Sequence, residues 1–528
     1  MELEIFGGIK EIGGNKLFIN VGESKFLFDF GLSFNDNNQY FTGFLNPRNY
    51  NGIVDYLYLG LIPAINKIYR NDYLSPFSEI LKKDPYNISV VEENKIDAFF
   101  LTHAHMDHYK FIGFLKQNTP IYMNWITHAI INNLSENSLD PLVSEILKYH
   151  EYHKIVPKLR QKKGEEIEYK RATKNDYKDK ETNRKIHVMN EKKPYIFKTS
   201  EGEVIITQYY VDHSVPGACS YIIKHDGRSI VYTGDFRRHG FHGEWVDDFI
   251  KIVCEENPIA IITEGTRVPN KVIFRDGSYK GDDQSEEDVR IRSRDMIRKH
   301  PGLILVNFPS RNLDRILLYY DLAKRFNRIF AITPRIFSYI DEFREKLDDM
   351  DEKIVKKFYD SYGFPEYNDE NFVIYLRRKG WGNFESADYR DKNEKAIFKE
   401  NSYITYKDVQ KEPERYLLYL DFYMLNELID LDQEKDTMMY INSTTDPFNE
   451  EMELQEEVLN QWLERFGILK TETIHSSGHC NVDDLIDALE KINADNIIPI
   501  HTENPDTFKE FGLSGKIILP EKGNKYLF

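Results

Sequence analysis

The segment Thr102-His103-Ala104-His105-Met106-Asp107-His108 constrains this 528-residue chain more than any other. Four side chains able to ligate a metal, His103, His105, Asp107 and His108, fall in one short stretch. Imidazole and carboxylate together suit Zn²⁺, Mn²⁺ or Fe rather than Ca²⁺ or Mg²⁺ alone. The apolar run at 96–102 reads as a buried strand. His103 and His105, two residues apart after its end, can point the same way. Asp107 and His108 then open a helical stretch predicted over 106–115. One turn therefore offers two faces, one for each of two adjacent metals.

Four further segments repeat this placement: Asp212-His213, Thr233-Gly234-Asp235, His475-Ser476-Ser477-Gly478-His479 and Ile500-His501-Thr502-Glu503. Residues 219–225 and 229–233 are strand-like, and Asp226-Gly227 between them is a hairpin turn. His213 lies just before the first and Asp235 just after the second. The run 259–263 delivers Glu264, and 496–500 delivers His501. Apolar strands with single ionisable residues at their ends describe a sheet with a site along one edge. Any one of these histidines alone would be read as a polar residue ending a strand; the set in this order would not.

On these residues the chain resembles the metallo-β-lactamase-fold nucleases of the β-CASP group, ribonuclease J most of all. Gly7-Gly8 through Gly13-Gly14-Asn15 resembles that family's opening turn, and Phe28-Asp29-Phe30-Gly31 its first motif. His103 to His108, His213 and Asp235 resemble the next three. Glu264 in Thr-Glu-Gly-Thr, His479 in Ser-Gly-His and His501 match the β-CASP motifs. The resemblance departs at Thr502, where the family usually has glycine. It departs again after His501, where 27 residues leave no room for the small C-terminal domain that many ribonuclease J proteins carry.

The resemblance implies an α/β fold: a metallo-β-lactamase αββα sandwich with an inserted β-CASP α/β domain. It divides the chain into residues 1–272 (first part of the sandwich domain), 273–456 (insertion) and 457–528 (return to the sandwich). The runs 303–308, 329–334 and 440–447 are the insertion's expected strands. Segments 158–200 and 345–415 are charged; 170–193 in particular reads as a solvated insertion. There is no internal repeat.

Composition fits a cytoplasmic enzyme: 41% hydrophobic and 30% charged residues can bury more than one core. No stretch approaches a membrane span, and the Met-Glu-Leu-Glu start is not a signal peptide. Cys219, Cys254 and Cys480 are too scattered for a disulfide framework or a zinc knuckle, and Cys480 reads as a small buried residue. The net charge of −17 opposes a polyanionic partner only as a whole-chain sum; a groove needs a local basic stripe. Its candidates are Arg237-Arg238, Arg267, Arg311, Arg315 and Arg377-Arg378-Lys379.

By resemblance, two divalent ions, zinc or manganese, are expected. His103, His105 and His213 hold one; Asp107, His108 and His501 hold the other; Asp235 bridges them; Asp29 orients the ligands. His479, held by Glu264, is the expected general acid. Ser476, Ser477 and Gly478, with Arg311, are expected to cradle a 5′-phosphate, while Arg311 and Arg315 line a basic cleft. The implied activity is hydrolysis of single-stranded RNA, 5′→3′ exonucleolytic with endonuclease activity in addition. The alternatives are a DNA nuclease or small-molecule phosphodiesterase of the same fold, and a non-catalytic RNA-binding paralogue. The complete ligand set disfavours the last. A homodimer stays open.

Overall fold

The computed structural model describes all residues except 43, 49–51, 84–86, 89–93, 139, 155–176, 272–283, 349–362, 364, 366–368, 390, 401, 432–437 and 448–449. Alternation builds the first strand: in Glu2–Gly7 every second side chain is buried, as a sheet with one covered face requires. This strand joins a seven-stranded sheet in the spatial order Lys525–Leu527, Glu2–Gly7, Lys16–Val21, Ser24–Phe30, Ala98–Phe100, Ile121–Asn124, Ile186–Met189. A second seven-stranded sheet runs Lys516–Ile517, Asn496–Pro499, Ala260–Thr263, Arg228–Tyr232, Cys219–His225, Gly202–Tyr210, Tyr195–Thr199. Asp226 and Gly227, both at positive φ (48° and 71°), close the predicted hairpin with the twist a two-residue turn needs.

The two sheets face each other across a core that includes Leu3, Ile5, Phe26, Phe28 and Phe100 from one and Tyr221, Tyr232, Ile262 and Ile498 from the other. Phe28 stacks on Phe100 at 4.9 Å and meets Tyr221 edge-on at 5.4 Å; removing such a ring costs about 3–5 kcal/mol. Helices Gly243–Glu256 and Val482–Ile492 cover the outer face of the second sheet. Helix Trp125–Asn137 packs outside the first. The architecture is the αββα sandwich the sequence implied.

A third, six-stranded sheet is built between them in sequence. Its order is Phe372–Ile374, Ile329–Ile332, Tyr416–Tyr419, Leu303–Asn307, Met438–Asn442, Leu469–Lys470, and all its pairs are parallel. Its strands read as continuous apolar runs because helices bury both faces.

Three expectations need correction. Residue 456 lies inside helix Glu450–Arg465, and Leu469–Lys470 still pairs with the third sheet, so the inserted α/β unit continues beyond 456. The opposite boundary, 272/273, falls outside the described residues, as does 170–176 of the segment read as a solvated insertion. The described part of that segment holds strands: Tyr177–Asn183 forms a ribbon with Lys148–Lys154, and Ile186–Met189 is an edge strand of the first sheet. An edge strand faces water on one side, so a charged composition does not exclude it. Finally, the helix after the histidine motif is one turn, Met106–Tyr109, followed by a separate 3₁₀ turn at Ile112–Phe114.

Candidate metal centre

Every predicted ligand leaves the carboxyl end of a strand at the same edge of the sandwich. His103 and His105 follow Ala98–Phe100, His213 follows Gly202–Tyr210, Asp235 follows Arg228–Tyr232, and His501 follows Asn496–Pro499. Parallel pairing of neighbouring strands points these ends one way, the usual location of sites in α/β sheets.

Two groups of ligand atoms result, His103–His105–His213 and Asp107–His108–Asp235–His501, each with its atoms within 4.8 Å of one another. Asp235 Oδ2 belongs to both neighbourhoods. It lies 3.2 Å from His108 Nε2, 3.5 Å from His501 Nε2, 3.6 Å from His103 Nε2 and 3.9 Å from His213 Nε2. Asp235 thus stands between the two groups.

The supporting contacts fix which nitrogen each ring presents. His108 Nδ1 donates to Asp29 Oδ2 at 2.8 Å, His213 Nδ1 to the Gly478 carbonyl, and His501 Nδ1 to Thr266 Oγ1 at 2.8 Å. Each bond turns Nε2 to the cluster; on His213 and His501 its lone pair is then free, while His108 must give up the Nε2 proton to ligate. Asp29 is held in turn by Thr102 N, Thr102 Oγ1 and Tyr232 OH at 2.9, 2.8 and 2.7 Å. It is the unpaired residue of a β-bulge: Leu17 faces Phe28 and Lys16 faces Phe30. Its φ of 51° swings the carboxylate off the strand toward the site, a conformation aspartate tolerates better than most residues. Gly31 is required for a different reason. A Cβ there would sit 1.5 Å from the Asp107 carbonyl oxygen.

The site's electrostatics call for cations. Burial, reinforced by neighbouring imidazoles, drives His103 and His213 well below the usual imidazole range and takes His105 to about 4. All three stay neutral. Their lone pairs then face one another, with His105 Nδ1 only 3.1 Å from His103 Nε2 and 3.0 Å from His213 Nε2. At His108 burial is outweighed by Asp235, Asp29 and Asp107, which hold the ring protonated. Asp235 Oδ1 is buried without a hydrogen-bond partner, which is costly for a carboxylate. Converging lone pairs and an orphaned carboxylate oxygen fit a pair of divalent ions.

Beside this cluster His479 Nδ1 donates to Glu264 Oε2 at 2.9 Å. Burial tends to lower the His479 pKa, but the Glu264 carboxylate, with Asp235 behind it, lifts it to about 9. The Glu264 Oε1 atom accepts from Phe236 N at 2.8 Å. His479 also comes near enough to His213 and Asp235 to ligate with them, so metal content after its removal separates the two roles.

Sequence reasoning missed Thr266. Its hydroxyl donates to Glu264 Oε2 at 2.8 Å and lies 3.1 Å from His479 Nδ1 and 2.8 Å from His501 Nδ1, so one hydroxyl joins the acid pair to a metal ligand. Its place two residues after Glu264 was the available signal. The departure at Thr502 leaves the turn intact. The left-handed residue there is His501, at φ 51°, whose N–H donates to the Gly8 carbonyl at 2.7 Å, while Thr502 pairs with Glu11.

The expected substrate contacts fare differently. Ser476 is buried, and Ser477 Oγ accepts from His479 N at 3.1 Å. Gly478 spends its carbonyl on His213. This turn supports the histidines, and the buried Ser476 Oγ has no hydrogen-bond partner. Arg315 is also buried: it donates to Glu286 at 2.7 Å and to Ser443 Oγ at 2.6 Å. Arg237 is buried with it, donating to Asp212, Glu286 and Asp314 at 2.8, 2.8 and 3.0 Å, and to the Ser477 carbonyl at 3.0 Å. Of the named substrate residues Ser476 and Arg315 are buried, Ser477 and Gly478 are half-buried, and Arg311 is exposed.

Fold and side-chain cluster together define an αββα sandwich with an inserted α/β unit and a group of metal-ligating side-chain types at one edge. Residues 78–306 match the family model of the metallo-beta-lactamase superfamily, so this stretch of the chain is similar to that domain. Ribonuclease J 2 of Staphylococcus saprophyticus is 21% identical over 334 residues, 62% of this chain and 44% of that protein. The match thus spans less than half of the relative's length. The crystal structure of a protein of unknown function from Enterococcus faecalis V583 is similar in fold, with a TM-score of 0.66 at 20% identity, over 100% of this chain and 99% of that one. Among the described residues no helix is long and apolar enough to cross a membrane.

Proposed function

We propose that the chain is a metal-dependent ribonuclease that hydrolyses phosphodiester bonds of single-stranded RNA. The observation that carries this reading is the pair of ligand groups sharing Asp235 Oδ2, with the His479–Glu264 pair alongside. When bound, two divalent ions, zinc or manganese, supply Lewis acidity and positive charge at the scissile phosphate. The protein's own groups do the rest. Asp29, Gly478 and Thr266 hold the ligand rings in one tautomer. Glu264 orients His479 and favours its protonated form, and His479 Nε2 gives the proton to the leaving oxygen. Thr266 keeps Glu264 and His501 in register.

Removal of nucleotides from the 5′ end is the mode that the likeness to ribonuclease J favours; internal cleavage is the second. The buried Ser476 and inward-turned Ser477 weaken the 5′-phosphate anchor on which the first depends. DNA is the alternative substrate, since hydrolysis at phosphorus by these groups requires no 2′-hydroxyl. Metal-loaded protein incubated with end-labelled RNA and DNA of one sequence tests the reading. Rapid loss of RNA is expected. Inertness toward both, with turnover of a small phosphodiester, would replace it. RNAs bearing 5′-monophosphate, 5′-hydroxyl and 5′-triphosphate separate the modes, because equal rates with internal first products identify an endonuclease.

A further inference from the structure

Most cations that could meet a polyanion in this acidic chain are committed elsewhere. Arg237 and Arg315 are buried around Glu286; Arg238 pairs with Asp247 and Asp487, Arg378 with Asp430, and Lys379 with Glu394. Arg311 and Arg335 are different. Both line a cavity of about 150 Å³ between the sandwich and the inserted unit, and among the described residues neither guanidinium has an ion-pair partner.

The cavity is built from both halves. Met106, Tyr109, Asn133 and Asp140 come from the sandwich; Ser310, Arg311, Arg335 and Tyr339 come from the insertion. The walls are fastened together. Asn133 Nδ2 donates to Ser338 O and Oγ at 3.1 Å, and Tyr339 OH donates to the Arg311 carbonyl at 3.0 Å. Asp140 does not neutralise the arginines, because Lys110 pairs with it. Two guanidiniums therefore share the space with net positive charge, and each disfavours the other unless an anion lies between them. Desolvation by the wall and the like charge of Arg335 both pull Arg311 below its ordinary pKa. The floor belongs to the metal motif, since Met106 and Tyr109 bracket Asp107 and His108 on one helical turn.

We propose that Arg311 and Arg335 form a phosphate-binding subsite that seats one backbone phosphate of a single-stranded nucleic acid whose scissile bond lies at the metal cluster. It rests on the nuclease reading above and adds the contact that holds the strand. The volume is that of about five waters, enough for a phosphate and too small for a nucleoside. Guanidiniums suit phosphate oxygens because their forked donors match them two by two. Such a contact positions the strand and reads no sequence and no sugar.

The test measures anisotropy of a labelled single strand with phosphorothioate linkages, which resists hydrolysis and keeps its charge, on metal-loaded protein. The double variant Arg311→Ala/Arg335→Ala should bind about tenfold or more weakly. Its salt slope, log K against log salt, should be shallower by about 0.7 for one lost phosphate contact. Arg335→Lys should keep the slope and recover part of the affinity. Metal content and Tm serve as controls of folding. RNA and DNA strands should lose affinity equally; a loss confined to RNA, or an unchanged affinity and slope, would overturn the subsite. Should the wild-type protein neither bind nor cleave any strand, the nuclease reading falls by itself. Titration with inorganic pyrophosphate then reads the subsite separately. Weaker binding by the double variant than by wild type supports it, and equal binding refutes it.

Discussion

Two buried polar clusters meet at the junction of the sandwich and the inserted unit, and they solve the same problem in opposite ways. Around Glu286, two guanidiniums face three carboxylates, those of Asp212, Glu286 and Asp314. Every charge finds its partner inside the protein. Around Asp235, the neutral rings of His103, His105 and His213 turn lone pair to lone pair, and one oxygen of the Asp235 carboxylate has no partner. In the first cluster every charged group has an ion-pair partner, whereas in the second a buried carboxylate oxygen has none. A structural ion network and a metal centre can thus contain similar residues at similar depth. What separates them is whether donors and acceptors balance.

The largest effect should come from unbalancing the metal cluster further. Asp107→Ala and Asp235→Asn should each reduce metal below the two ions per chain expected for wild type and take nuclease activity below detection while the fold persists. Elemental analysis beside circular dichroism checks this, and one ion or none in active wild-type protein would end the two-metal reading. Next comes His479→Ala, expected to keep both ions and lose kcat by about 10²–10⁴-fold. Loss of an ion instead would make His479 a ligand.

The ion-paired cluster should respond to acid where the metal cluster responds to chelators. Burial tends to raise the Glu286 pKa, yet Arg315 and Arg237 outweigh it and bring the carboxyl to about 2. Its folded pKa is depressed, so its stabilisation is present above the unfolded value near 4.5 and is lost as pH falls toward 2. Across that window the effect is on the order of 3 kcal/mol. Denaturant melts of wild type and Glu286→Gln should therefore converge as pH falls from 5 to about 2, and parallel curves would show that the network contributes no pH-linked stability.

The smallest effect is expected at Thr266, which belongs to neither cluster alone. Thr266→Ser keeps the hydroxyl and should be close to wild type. Thr266→Val removes it and should cost about 10–100-fold in metal affinity or activity, the usual range for a residue that orients a ligand. Equal behaviour of the two variants would remove Thr266 from the site's support.

The metal centre was legible because its signals are local. Each ligand is one residue at one strand end, and an apolar run followed by histidine or aspartate is visible within ten positions. Asp29 was legible too, although the bulge that turns it inward was not. The charged segment 170–193 hid a ribbon strand, Tyr177–Asn183, and an edge strand, Ile186–Met189, because strands exposed in this way need few apolar residues. Leu469–Lys470 was missed because a two-residue strand has no periodicity to read.

The sequence by itself determined the ligand chemistry, the order of the motifs, the sandwich and the presence of an inserted α/β unit. Those properties depend on residue type and short-range pattern. Only the tertiary structure decided which arginines are available. Arg315 looked like a substrate contact until Glu286 and Ser443, 29 and 128 residues away, proved to hold it. Arg237 binds the Ser477 carbonyl across 240 residues. Arg335 drew no notice until the fold set it beside Arg311. Whether a charge is spent or free is a property of its neighbours in space, and no local pattern of residues encodes it.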